Sequence, residues 1–260
     1  MGKMDSSKTR AVPIFNLLYA SDKTGNGWLP TLLRLPIGGH RITLSSKIDL
    51  TITDVGWGEN EKKLEPPVSL LSWLIRHPRI PINGSLSSDQ IKAQKRLDLI
   101  QGSNNRLHEA LNLLRNNPRG EDWHLFEGKT QPDIWIETPE ILIVIEGKRT
   151  EAEATKKTKW MPVRHQMLRH MDCAWEIKGS KQLIGFFIVE GNGRDPDVPP
   201  FWLDQAPITM SPEAIKSSLP HRGPEEQKAI ARCFIGVATW QQLCVEFGIE
   251  WNSLPNFIHK

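Results

Sequence analysis

The sequence has little tyrosine and little cysteine, with one Tyr and three Cys in 260 residues. The cysteines, Cys173, Cys233 and Cys244, are odd in number and form no C-x-x-C pair. That argues against a disulfide framework and against a thiolate zinc site, and it makes a reducing cytoplasm the expected setting. No apolar run approaches the roughly 18 residues a spanning helix needs, so no membrane partner is expected. The opening MGKMDSSKTR is polar, lacks the apolar stretch of a secretory signal, and reads as a loose tail. Internal repeats and low-complexity tracts are also lacking, which argues against a solenoid or a long linker. A strong charge of one sign is missing too: the net charge of +3 is too small to name a partner.

What is present is an ordinary globular composition, 24% charged and 38% hydrophobic, in a chain long enough to bury a sizeable core. The charge is unevenly spread. From Lys148 to Arg169 there are seven bases (Lys148, Arg149, Lys156, Lys157, Lys159, Arg164, Arg169) and two acids, a surplus of +5 that exceeds the net charge of the whole chain.

That basic stretch begins where an unusual strand ends. Ile141 to Ile145 is an unbroken apolar run of the kind buried on both sheet faces. It finishes in Glu146-Gly147-Lys148. Around it, hydrophobic spacing and capping residues predict a helix after Gly102-Ser103, with Leu107, Ala110, Leu111 and Leu114 as its stripe. Strands are predicted at Trp123–Phe126, Ile134–Ile136 and Ile141–Glu146, with a turn at Thr138–Glu140. A helix follows Pro162, carrying Val163, Met167 and Met171, and Lys181–Glu190 is a buried strand. Earlier in the chain, the second half of the alternating run Arg41–Thr53 reads as a half-buried strand, and Ser87 or Ser88 as a helix cap. Ser211-Pro-Glu and Gly223-Pro-Glu-Glu each start a helix. Phe234–Val237 is a short strand and a helix begins at Thr239. The reading is an α/β protein with a central mixed sheet: a core over 103–195, an N-terminal extension over 1–102 and a mostly helical C-terminal extension over 196–260.

Strand alternation places Asp133, Trp135 and Glu137 on one face, and Glu146 with Lys148 on one face. A tight turn at Thr138–Glu140 pairs these strands antiparallel, so Asp133 and Glu146 meet at one sheet end with Lys148 a step further. Two carboxylates and the Gly147 carbonyl offer a hard cation such as Mg²⁺ three oxygens, leaving room for water and a phosphate oxygen. A metal there polarises a phosphodiester and activates water, while Lys148 holds that water or offsets developing charge.

Pro132-Asp133, twelve intervening residues and Glu146-Gly147-Lys148, set in that order of elements, resemble the PD-(D/E)XK nuclease superfamily with its restriction-endonuclease-like αβββαβ core. The resemblance covers roughly a third of the chain. It implies Mg²⁺-dependent cleavage of DNA or RNA, with Mn²⁺ as a substitute; DNA is the expected substrate. It implies Asp133 and Glu146 as metal ligands, with the Gly147 backbone carbonyl, and Lys148 as the catalytic lysine. By position it also implies Glu109, on the preceding helix, as a further acid and metal ligand, and Gln166, on the following helix, as a polar catalytic partner. Arg149, Lys156, Lys157, Lys159, Arg164 and Arg169 would then track the nucleic-acid backbone. A homodimer is expected if both strands of a duplex are cut.

Plainer readings stand beside these. Asp133 after a proline can simply start a strand. Glu146 and Lys148 can form a weak surface pair, and Glu109 can be one more helix-surface acid. His165 and His170 are five apart, which does not suit a helical metal pair. Trp135 is expected to pack under the site, and Trp160 either to pack in the core or to stack on a base. The main rival is a catalytically silent nucleic-acid-binding or assembly module on the same fold.

Overall fold

The computed structural model describes residues 6–44, 48–81, 83–149 and 158–256; Lys156 and Lys157 lie outside the described residues. Six strands form one mixed sheet: β1 Ile37–Gly38, β2 Asp54–Trp57, β3 Ile134–Glu137, β4 Ile141–Lys148, β5 Gln182–Val189 and β6 Phe234–Thr239. Their order across the sheet is β1-β6-β5-β4-β3-β2. β2, β3 and β4 run antiparallel in turn, β4, β5 and β6 run parallel, and β1 closes the far edge antiparallel to β6.

Central β4 has all eight residues buried, as its apolar sequence predicts. Its alternation sorts side chains to two cores. Ile141, Ile143 and Ile145 face one side, and Leu142 and Val144 the other. The first side is covered by α1 (Val12–Ser21), α2 (Leu29–Leu32) and α10 (Trp240–Glu246). The second is covered by α6 (Gln166–Ile177), α7 (Pro200–Thr209), α8 (Pro212–Ser218) and α9 (Pro224–Arg232). A third, smaller core lies among α3 (Val68–Arg76), α4 (Gln90–Ile100) and α5 (Asn104–Asn116), which enclose Trp123, Phe126 and Trp160.

Local chemistry explains the boundaries. Ser103, Ser211 and Thr239 accept from backbone N–H groups three residues on and so cap α5, α8 and α10. Pro212 and Pro224 occupy first-turn positions. Thr138 closes the β3–β4 turn, with its hydroxyl accepting from the Ile141 N–H at 3.0 Å. In β6, Gly236 has φ +115°, and an added Cβ there would lie 1.9 Å from the Ile37 carbonyl oxygen, so only glycine lets β1 dock on this bulged strand.

Four expectations need correction. Residues 7–10 are not a loose tail but a wide helical turn leading into α1, fixed by the buried Arg10. Trp123–Phe126 is irregular chain in the third core, not a strand. The strand beside β3 is instead β2, from upstream of α5; only Thr53 of the preceding alternating run joins it, through its N–H to the Glu137 carbonyl. Asp89, not Ser87 or Ser88, caps α4. The sheet thus draws strands from all three segments into which the sequence divides.

Candidate active site

Asp133 immediately precedes β3, and the register Ile134↔Ile145 brings it opposite Glu146 on β4. The face is that of Trp135, Val144 and α6. Asp133 Oδ2 accepts from the Gly147 N–H at 2.8 Å. The N–H and C=O of one antiparallel strand residue point to the same neighbour. The Gly147 carbonyl therefore also faces the side where β3 has ended. Gly147 itself is fixed by packing: a Cβ there would lie 2.8 Å from Trp240 Cζ2 and 3.1 Å from Asp133 Oδ2.

Glu146 is almost fully buried and fully engaged. Its Oε1 accepts from Lys148 Nζ at 2.9 Å, and Lys148 also donates to Gln166 Oε1 at 3.0 Å. Its Oε2 lies 2.8 Å from His170 Nε2, and His170 Nδ1 lies 2.8 Å from the Thr130 hydroxyl. An ionised carboxylate only accepts, so in that contact Nε2 is the donor. The result is one connected row: Gln166, Lys148, Glu146, His170, Thr130.

The two carboxyls are tuned in opposite directions. Burial, then the charge of Glu146, pushes Asp133 well above the ordinary carboxylate range, against the Gly147 N–H and Lys148, which pull it down. Burial pushes Glu146 the same way, but the His170 hydrogen bond and charge, followed by Lys148, outweigh it and hold the group low. Glu61, just past the single turn that follows β2, adds to the upward pressure on Asp133 and accepts from Ser7 Oγ at 2.9 Å.

The structure brings together Asp133, Glu146, Gly147, Lys148 and Gln166. It does not bring Glu109 to them: that carboxylate pairs with Lys95 at 2.9 Å and Arg106 at 2.6 Å, on a helix packed in the third core. The further acid near Asp133 is Glu61, which no sequence signal marked. His170 was legible in principle, since it stands four positions after Gln166 on one helix face.

The basic residues divide. Arg149 is not available as a backbone contact: its side chain is 3% exposed, paired to Glu190 at 2.6 Å and bonded to the Asn256 carbonyl. Arg164 is wholly buried between Glu127 and Asp172. Both guanidiniums are themselves buried and held by acids, Arg149 by the partly exposed Glu190 and Arg164 by the buried Glu127 and Asp172. Lys159 is exposed, and Arg169 is partly so, with Nε on Glu127. Trp135 is fully buried beside the site, and Trp160 packs edge-on against Phe126.

Among the described residues, no group of three or more His, Cys, Asp or Glu is spaced to hold a metal. The donors that do converge are two carboxylates and a carbonyl. That set suits a hard ion bound through one or two carboxylates with water and phosphate oxygens, rather than a His/Cys cage. Among the described residues, no helix is long and apolar enough to cross a membrane. Comparisons with protein-family models, with curated proteins and with solved structures found no match.

Proposed function

We propose that the chain is a metal-dependent nuclease that hydrolyses phosphodiester bonds, with DNA as its substrate, on a restriction-endonuclease-like core formed by β2–β5 and α6. One observation carries this reading. Asp133 and Glu146 converge at adjoining strand ends, Asp133 accepting from the Gly147 N–H, and burial and mutual charge hold Asp133 above its ordinary range. A divalent cation would relieve that repulsion and let both groups ionise.

Mg²⁺ or Mn²⁺ held there would polarise the phosphoryl group and lower the pKa of a bound water. The chain's own residues supply the rest. Asp133, Glu146 and the Gly147 carbonyl provide oxygens. Gln166 aims Lys148, whose ammonium can hold the attacking water or meet the charge that grows on the phosphoryl oxygens. His170 and Thr130 fix the orientation of Glu146.

The resemblance of the Pro132-Asp133 and Glu146-Gly147-Lys148 pattern to PD-(D/E)XK nucleases supports the same reading. The test is cleavage of plasmid, linear duplex, single-stranded DNA and RNA in Mg²⁺, in Mn²⁺ and in EDTA. Cutting that needs the metal is the expected result. No cutting of any substrate, or cutting that EDTA leaves intact, overturns it.

A further inference from the structure

Helices α8 and α9 flank a cleft of about 680 Å³, and none of its lining residues belongs to the candidate active site. Its floor is apolar. Ile215 and Ala231 reach it from the core beneath, and Pro212, Pro220 and Pro224 complete it. Its rim is basic: His40, Lys216, Lys228 and Arg232 are all exposed. Among the described residues, no Asp or Glu lines it. Arg222 lines it too, but is engaged by Asp172 at 2.9 Å and Glu226 at 3.2 Å. Lys228 pairs with Glu225 in the open, a contact of little worth. Lys216 and Arg232 have no ion pair among the described residues. The exposed face of α7 carries the opposite pattern. Positions 201, 204 and 208 fall on one side of that helix. Phe201 is 44% exposed and Ile208 52%, with the exposed Asp204 between them. Asp204 likewise has no ion pair among the described residues. A carboxylate flanked by two bare apolar side chains is the inverse of an apolar floor ringed by cations.

We propose that these two surfaces meet between copies of the chain: the Phe201–Asp204–Ile208 face of α7 in one copy seats on the α8–α9 cleft of a second, and the reciprocal contact forms at the same time. The inference does not depend on the nuclease reading. Helix and cleft are neighbours on one surface, because α7 runs into α8 through Met210 and Ser211, and the Ser211 N–H donates to the Ile208 carbonyl at 3.1 Å. A twofold axis between them sets each helix against the opposite cleft. The contact then closes on itself as a dimer and does not propagate into a fibre. Phe201 and Ile208 supply the apolar centre of such an interface, and Asp204 with Lys216 and Arg232 its charged rim. Complementary charge fixes which way round the helix lies and suppresses wrong pairings. Nucleic acid is a poorer occupant. It would use the cations but not the floor, and no Phe, Tyr or Trp lines the cleft to stack on a base.

The experiment is sedimentation equilibrium of the full chain in EDTA, where neither metal nor nucleic acid takes part. The native protein should show a concentration-dependent dimer. Asp204→Lys should raise the dimer dissociation constant roughly tenfold or more, since each contact occurs twice. Lys216→Glu with Arg232→Glu should do the same. All three positions are exposed, so the variants should keep the native melting temperature, which is measured beside them. Combining the three substitutions exchanges the charges across the interface and should recover the dimer. A native protein that stays monomeric at every concentration overturns the proposal, even if its cleft takes up an acidic peptide with apolar anchors, because the occupant is then a foreign segment. A dimer indifferent to the reversals, or weakened by them but not recovered by the exchange, also overturns it. Metal-dependent cutting by a monomer would sink the dimer alone. A dimer that cuts nothing would sink the nuclease reading alone.

Discussion

At the residue scale the site is defined by an imbalance between two carboxyls. Asp133 is pushed up by burial and by Glu146, whereas Glu146 is held down by His170 and Lys148. A carboxyl whose pKa rises on folding helps the fold only below its unfolded pKa, and that help is lost as pH rises through the folded value. At neutral pH without metal, Asp133 is therefore a liability. Asp133→Asn should raise the melting temperature of the metal-free protein at neutral pH and narrow the difference under acid conditions, where the native carboxyl is protonated. Mg²⁺ should raise the melting temperature of the native protein and leave the variant unmoved, since an ion stabilises only the form that binds it. Thermal melts across pH, with and without Mg²⁺, check both. An unchanged melting temperature for Asp133→Asn would mean the carboxyl is already relieved by other groups. His170→Asn should raise the half-saturating Mg²⁺ concentration about 10- to 100-fold, the usual effect of losing a group that orients a metal-binding carboxylate. His170→Gln, which can reach Glu146 with a donor, should recover part of it. A loss in kcat alone at unchanged metal affinity would remove the positioning role.

At the scale of elements, Gly147 joins β4 to α10. Gly147→Ala places a Cβ 2.8 Å from the Trp240 ring and should cost about 1–3 kcal/mol by overpacking, read from urea unfolding. Neutrality would mean that α10 shifts freely. Arg164 belongs to a buried network with Glu127 and Asp172 that ties the start of α6 to the Ser218 carbonyl at the end of α8. Arg164→Ala leaves two buried acids short of a partner and should cost about 3–5 kcal/mol. Unfolding curves should show that loss, while any loss of nucleic-acid binding should follow only from unfolding. A folded, fully stable Arg164→Ala protein with weakened binding would restore Arg164 to the substrate surface.

Legibility in the sequence follows the range of the interactions concerned. The β3–β4 pair was readable because a short turn and period-2 alternation fix its register, and with it the meeting of Asp133 and Glu146. Capping residues marked α5, α8 and α10, since a cap acts within three residues. β2 was misplaced because its partner β3 lies far along the chain, and Trp123–Phe126 had the same apolar look for a different purpose. Charge on its own misled at Arg149 and Arg164. Whether a guanidinium meets solvent or an acid of the same chain depends on Glu190 and Asp172, which only the fold brings near. Glu109 was placed by its position in the order of elements, and its helix packs elsewhere.

At the scale of the whole molecule, three stretches of chain converge on one sheet. The N-terminal helix is pinned by Arg10 to Glu190 at the end of β5, and Arg149 joins the same carboxylate from the end of β4. This fastening joins the ends of β4 and β5 beside Glu146 and Lys148, the kind of fixed relation the proposed reaction would need. The most direct test of the account is single-turnover cleavage of DNA at saturating Mg²⁺ by the native protein and by Lys148→Ala, with Mg²⁺ affinity measured on both. The account predicts that Lys148→Ala loses roughly 10²–10³-fold in rate, as when one group that stabilises developing charge is removed, while still binding the metal. Equal rates for the two proteins, or no cleavage by the native protein, would contradict it.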